Sequence, residues 1–150
     1  MENALLKARY ACEHTGLPAI ADDSGIEVLA LNGEPGIYSA RYAQGQGDKA
    51  NNEKLLRKVR ELPADQRQAR FVCLMVYLRH VLDPTPVIAQ GVWEGEITLQ
   101  PAGEQGFGYD PIFFLPERGC TSAQLPPEEK NRLSHRGQAI ERLMKQLPSF

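Results

Sequence analysis

The stretch Ile20-Ala21-Asp22-Asp23-Ser24-Gly25 sets two adjacent carboxylates, a hydroxyl and a glycine behind a short apolar run, Leu17 to Ala21. An apolar run of strand-like composition ending in acids puts oxygen ligands where a sheet opens onto solvent, a common place for α/β sites. Hard cations such as Mg²⁺ take carboxylate oxygens, so the chemistry expected here is metal-assisted handling of phosphate. In an extended strand neighbouring side chains alternate, and both acids could not reach one ion. A tight turn at Gly25 lets them converge or divide labour, one on the metal and one on a water. The plain alternative is a solvated turn, since Asp and Ser are ordinary turn formers.

A second constellation is Gly106-Phe107-Gly108-Tyr109-Asp110-Pro111. Glycines on both sides of a phenylalanine let backbone approach a flat ligand, and the ring offers a stacking face for a base. Asp110 is placed to accept from a ring N–H or a sugar hydroxyl. The competing reading is an aromatic turn plugging the core. The third is Ser134-His135-Arg136-Gly137, at an expected helix start where free N–H groups favour anionic or carbonyl oxygens. His135 and Arg136 add side-chain donors of the kind that donate to a keto oxygen and repel an amino group. Lys7 and Lys130 are candidate phosphate or base contacts, although single helical lysines are usually solvated. Asn51-Asn52-Glu53-Lys54 mimics an Asn-x-x-Lys phosphate grip, but it lies in an expected helix without glycine and reads as helical surface.

The elements that must hold these residues follow from periodicity. Ala4, Leu5, Ala8, Ala11 and Cys12 predict a helix over 2–14, closed by Gly16 and Pro18. A strand to Ala21 and an acidic turn come next; Ile26 to Leu31 reads equally as strand or helix. Residues 32–47 form a glycine-rich loop in which Tyr38 and Tyr42 are expected to pack. Asp48 is the expected cap of a helix to about Leu62, stopped by Pro63. Gln68 to His80 is mostly apolar in both alternating sets, which predicts a strand covered on both faces. Val87 to Thr98 reads as a strand broken or bulged near Gly91 and Gly95. Ile112 to Leu115 is a short buried strand, and Ser134 caps a last helix to Leu147.

Composition bounds the function. The 150 residues suit one domain, with 42% hydrophobic and 24% charged side chains, as in an ordinary soluble globule. A net charge of −2 provides no global field for nucleic acid. Cys12, Cys73 and Cys120 are odd in number and lack CxxC spacing, which supports neither a disulfide framework nor zinc. No apolar run is long enough to span a bilayer and no signal-like segment follows Met1, so a cytoplasmic protein without membrane partners is expected.

In order and spacing, these segments resemble the inosine triphosphate pyrophosphatase family in its bacterial form. The resemblance rests on Glu2-Asn3-Ala4 with Lys7-Ala8, Ala21 to Gly25, Pro35-Gly36-Ile37-Tyr38-Ser39-Ala40-Arg41-Tyr42, Gly106 to Phe113, and Ser134 to Gly137, and covers essentially the whole chain. It implies Mg²⁺-dependent cleavage of inosine, deoxyinosine and xanthosine triphosphates to monophosphate and pyrophosphate. It implies that Asp23 is the catalytic carboxylate and metal ligand, with Asp22 as a supporting acid, and that Ser24 contacts substrate. Phe107, Gly108, Tyr109 and Asp110 would line the base and sugar pocket. Lys130, His135 and Arg136 would read the 6-keto purine, and Lys7 would face the phosphates. The implied fold is α/β, a long mixed β-sheet flanked by helices in two lobes, assembled as a homodimer. Family members begin upstream with a strand, a Thr/Ser-x-Asn-x-x-Lys phosphate loop and a helix. Met1 here directly precedes the Glu-Asn-Ala helix, so residues 1–150 are expected to form a domain lacking that segment, with an exposed sheet edge. The second expectation is a non-catalytic remnant that binds purine nucleotide weakly or only pairs with another subunit.

Overall fold

Ala4, Ala8 and Cys12 recur at helical spacing, and all three are buried along one stripe of α1 (Glu2–Thr15). Gly16 ends this helix in the left-handed region, φ +68°, its N–H bonded to the Cys12 carbonyl at 2.8 Å. The computed structural model describes residues 2–147; Met1 and residues 148–150, the two ends of the expected domain, lie outside the described residues.

The first departure from expectation is β1 (Ala19–Val28). It runs straight through Asp22-Asp23-Ser24-Gly25, so there is no acidic turn. Gly25 is needed for close approach instead: a Cβ there would lie 2.7 Å from the Gly36 carbonyl oxygen and 3.1 Å from Ser39 Oγ. Two 3₁₀ segments follow, one turn at Leu29–Leu31 and two turns at Gly36–Arg41. In α2 (Asp48–Val59), Leu55, Leu56 and Val59 are buried as the periodicity required. The cap, however, is Gly47, and Asp48 is already helical.

Both β2 (Gln68–Leu78) and β3 (Val87–Ile97) are long. β3 continues through both of its glycines without a break. Those glycines serve packing, because a Cβ on Gly91 would sit 1.9 Å from the His135 carbonyl oxygen, and one on Gly95 2.6 Å from that of Phe114. The sheet ends in β4 (Phe113–Leu115) and β5 (Cys120–Thr121). Two helices complete the described chain, the short α3 (Pro127–Leu133) and α4 (His135–Gln146). The five strands pair in the order β1-β2-β3-β4-β5, with β1 at one edge. β3 and β4 run antiparallel with Ile97 opposite Phe113, and β4 and β5 antiparallel with Leu115 opposite Cys120. The class is α/β, as the sequence implied.

The chain divides into two compact units, and the division falls inside β1, β2 and β3. The first holds the described residues up to Ser24, Val72–Val92, and those from Ser134 onward. In it, Val76 and Leu78 of β2 pack with Ala4, Ala8 and Cys12 of α1. The alternate residues Cys73, Met75 and Tyr77 pack with Ala89, Ala139 and Leu143. β2 is therefore covered on both faces here. Fully burying a side chain such as Val76 or Leu78 contributes about 1.5–3 kcal/mol.

The second unit comprises Gly25–Phe71 and Trp93–Leu133. Its core joins Ile26 and Val28 to the apolar face of α2 and to Phe71, Trp93 and Phe113. The Phe71 and Phe113 rings meet edge-on at 4.5 Å between centroids. No helix among the described residues is long and apolar enough to cross a membrane.

Candidate active site

In the first unit, β1 and the start of α4 assemble the acids and their partners. Side chains alternate along an extended strand, so Asp22 and Ser24 share one face and Asp23 takes the other. Arg136 Nη2 donates to Asp22 Oδ2 at 2.7 Å and lies 3.5 Å from Ser24 Oγ. Arg136 Nε is buried without an acceptor among the described residues. Ser134 caps α4 as expected, its hydroxyl accepting the Gly137 N–H at 3.0 Å. Gly91 lets that helix start seat tightly on β3. Cys73 sits below this group. Burial pushes its thiol up, and the Ser24 hydroxyl opposes that shift.

Asp23 is half-buried, and its carboxylate has no hydrogen-bond or ion-pair partner among the described residues. Lys7, on α1, donates from Nζ to the Asp22 carbonyl at 2.7 Å. That carbonyl belongs to the peptide joining Asp22 to Asp23. The turn that would let the acids converge on one ion is therefore absent: the strand sends them to opposite faces, and Asp22 is held by Arg136.

No group of three or more His, Cys, Asp or Glu gathers among the described residues. A Mg²⁺ ion does not need one, since it keeps waters and substrate phosphate oxygens and takes one or two protein carboxylates. An unpartnered Asp23 fits that requirement.

In the second unit the Gly103–Gly108 loop presents Phe107, a residue 68% exposed. Lys130 Nζ stands 4.8 Å from the centre of that ring and also pairs with Asp110. Asp110 itself is buried. Its Oδ1 accepts from Ser122 Oγ at 2.6 Å, and its Oδ2 from the Phe107 N–H at 3.0 Å and from Lys130. Gly106 permits this, since a Cβ there would meet Asp110 Oδ2 at 2.2 Å. Tyr109 is buried too, its hydroxyl donating to the Ser39 carbonyl at 2.6 Å, and burial pushes its pKa up strongly. Of the four residues expected to line a pocket, only Phe107 is thus presented to solvent. Gly108 is half-buried, and Tyr109 and Asp110 anchor the loop from within.

Three contributors escaped the sequence. Ser39 accepts the Ile26 N–H at 3.0 Å and donates to the Gly36 carbonyl at 2.6 Å, tying the 36–41 turn to β1. Asp48 and Asn52 of α2 both bond Gly108. Asn51 and Asn52 lie in a helix as expected, but they are not helical surface. Asn51 is 2% exposed and takes the Ala43 N–H at 2.7 Å. The signal available was a pair of amides one turn ahead of Leu55, Leu56 and Val59, which places Asn51 and Asn52 close to the buried stripe of the helix.

A mixed α/β chain with a sequentially ordered sheet, strand-borne acids and a glycine-framed aromatic loop defines the class, and comparison supplies the family. The Ham1 family model matches residues 1–146. The chain belongs to the Ham1 family. A protein of Thioalkalivibrio sulfidiphilus named dITP/XTP pyrophosphatase is 62% identical over 148 residues, covering 98% of this chain and 76% of that protein. A protein of the same name from Idiomarina loihiensis is 56% identical, covering 98% and 73%. Among solved structures, a HAM1 protein from Coxiella burnetii superposes with a TM-score of 0.92 at 48% identity, covering 96% of this chain and 74% of that one. A nucleoside-triphosphatase / dITP/XTP pyrophosphatase from Mycobacterium abscessus gives 0.79 at 44%, covering 95% and 75%.

Proposed function

We propose that this chain hydrolyses inosine, deoxyinosine and xanthosine triphosphates to the monophosphate and pyrophosphate, removing non-standard purines from the nucleotide pool. The observation that carries the reading is Asp23, a half-buried carboxylate without a protein partner, with the Lys7 ammonium on the adjoining peptide. Relatives 56–62% identical, covering 98% of this chain, bear the name dITP/XTP pyrophosphatase. That agreement disfavours the non-catalytic remnant.

Asp23 orients a water against the α-phosphorus and takes its proton as the new P–O bond forms. The bond from the α-phosphorus to the bridging oxygen breaks, and pyrophosphate leaves with that oxygen. Lys7 supplies positive charge beside the phosphates. Mg²⁺, held by Asp23 with substrate phosphates and water, would neutralise charge on the leaving group. Asp22 holds Arg136 in orientation, and with Ser24, His135 and Arg136 donate toward substrate oxygens. Phe107 offers its ring to the base, with Lys130 beside it. Positioning and charge neutralisation account for the catalysis without a covalent intermediate.

The assembly is read as a homodimer. Leu6, Tyr10, Leu17 and Ile20 are all more than half exposed on α1, the connection after it and the start of β1, apolar surface that a second copy would cover. The three free cysteines suit a reducing cytoplasm.

Product analysis tests the reaction. Inosine triphosphate with Mg²⁺ should yield inosine monophosphate and pyrophosphate in equal amounts. Inosine diphosphate and orthophosphate would overturn attack at the α-phosphorus.

A further inference from the structure

Two side chains of α2 that the chemistry above does not use hold the loop that carries Phe107. Asp48 and Asn52 are four residues apart, so they project from one face of the helix. Asp48 Oδ2 accepts the Gly108 N–H at 2.9 Å, and Asn52 Nδ2 donates to the Gly108 carbonyl at 3.1 Å. Both backbone polar groups of a single residue are thereby tied to one helix. Gly108 lies at φ +60°, a conformation L residues rarely adopt, and directly follows Phe107.

The restraints on either side complete the hold. The Phe107 N–H is fixed by Asp110 at 3.0 Å, and the Tyr109 hydroxyl by Ser39 at 2.6 Å. Phe107 itself is 68% exposed and gains little from its own burial. The backbone around it must therefore set where the side chain is presented, with Lys130 Nζ 4.8 Å from the ring centre. Asp48 has no capping duty, because Gly47 is the cap. Asn52 Oδ1 is buried without a partner among the described residues. An unmet buried acceptor costs stability that an apolar side chain of similar size would not. The amide is therefore an imperfect fit to its surroundings, and the bond to the Gly108 carbonyl is what it contributes there.

We propose that Asp48 and Asn52 are positioning residues that fix Phe107 in advance as the platform for the purine base. The proposal rests on the base-stacking reading of Phe107. Preorganisation of this kind lowers the ordering cost of binding and appears in KM rather than in the chemical step.

The test measures kcat and KM for inosine triphosphate and for ribose 5-triphosphate, which has the phosphates and sugar but no base. Asp48→Ala and Asn52→Leu should each raise KM for inosine triphosphate about tenfold, with kcat within about twofold. KM for ribose 5-triphosphate should not move. Asp48→Asn keeps an acceptor for the Gly108 N–H and should restore KM to near the wild-type value. Phe107→Ala, run alongside, separates the two layers of the argument. If it raises KM for inosine triphosphate while the α2 variants do not, the positioning role is overturned and base stacking stands. If Phe107→Ala leaves KM unchanged, base stacking is overturned and the positioning role with it. Equal losses on both substrates would mark Asp48 and Asn52 as structural only and overturn the proposal.

Discussion

Arg136 donates to the carboxylate of Asp22 at 2.7 Å, joining the first turn of α4 to the edge strand β1 within one unit. Both side chains are partly open, at 43% and 38% exposed. Ion pairs so exposed contribute only about 0–1 kcal/mol to stability. The pair's consequence is therefore the direction of the guanidinium.

Asp22→Asn should accordingly leave the melting temperature within about 2 °C of the parent, as expected for a change below 0.5 kcal/mol. KM for inosine triphosphate should rise about tenfold, with a smaller fall in kcat, because an orienting group is lost and the reacting carboxylate is kept. Thermal melts and steady-state kinetics on the same preparation check both halves.

Gly91→Ala should be far more damaging than its size suggests. The added Cβ would lie 1.9 Å from the His135 carbonyl oxygen and 2.8 Å from the Ala139 nitrogen, both backbone atoms of α4. The start of α4 must move away from β3, carrying Arg136 with it. Overpacking of this kind costs about 1–3 kcal/mol or more. Denaturant unfolding should show that loss together with a raised KM.

Acid stability should depend on the β2–β3 connection. Asp83 accepts from Arg79 Nε at 2.9 Å, Arg79 Nη2 at 2.5 Å and the Thr85 N–H at 3.0 Å. Arg79, through its side chain first and then its backbone N–H, holds the Asp83 carboxyl well below the usual carboxylate range. A depressed carboxylate contributes stability that is fully present above its unfolded pKa, about 4, and is lost as pH falls through the folded value. Asp83→Asn should melt lower than the parent at pH 7, and the gap should narrow below about pH 4. Melting curves from pH 7 to pH 2 measure it; a gap independent of pH would contradict the pairing.

The readable parts of the fold were those fixed by periodicity. The buried stripe of α1, the apolar face of α2 and the doubly covered β2 all follow from residue spacing. Ser134 as a cap followed from local chemistry. The misses share another cause. Asp22-Asp23-Ser24-Gly25 has poor strand propensity, and pairing along β1 overrides it. Gly91 and Gly95 read as interruptions in the sequence, yet each is small because backbone lies against it. Asp48 reads as a cap from its neighbours alone, although its partner, Gly108, lies 60 residues away. The short α3 buries no residue and has no periodic signal to find. In the site, types and spacing located the loop and the acids. They could not show that Tyr109 and Asp110 turn inward while Phe107 remains outside, because the partners that hold them are the distant Ser39 carbonyl, Ser122 hydroxyl and Lys130 ammonium.

The most direct test of the account is the release of pyrophosphate from inosine triphosphate at saturating Mg²⁺ by the parent chain and by Asp23→Asn. The substitution keeps shape and hydrogen-bonding capacity but removes the charge that binds the ion and takes the proton from water. The account predicts a fall in kcat of at least about a hundredfold, with unfolding behaviour unchanged. Full activity in Asp23→Asn would contradict it.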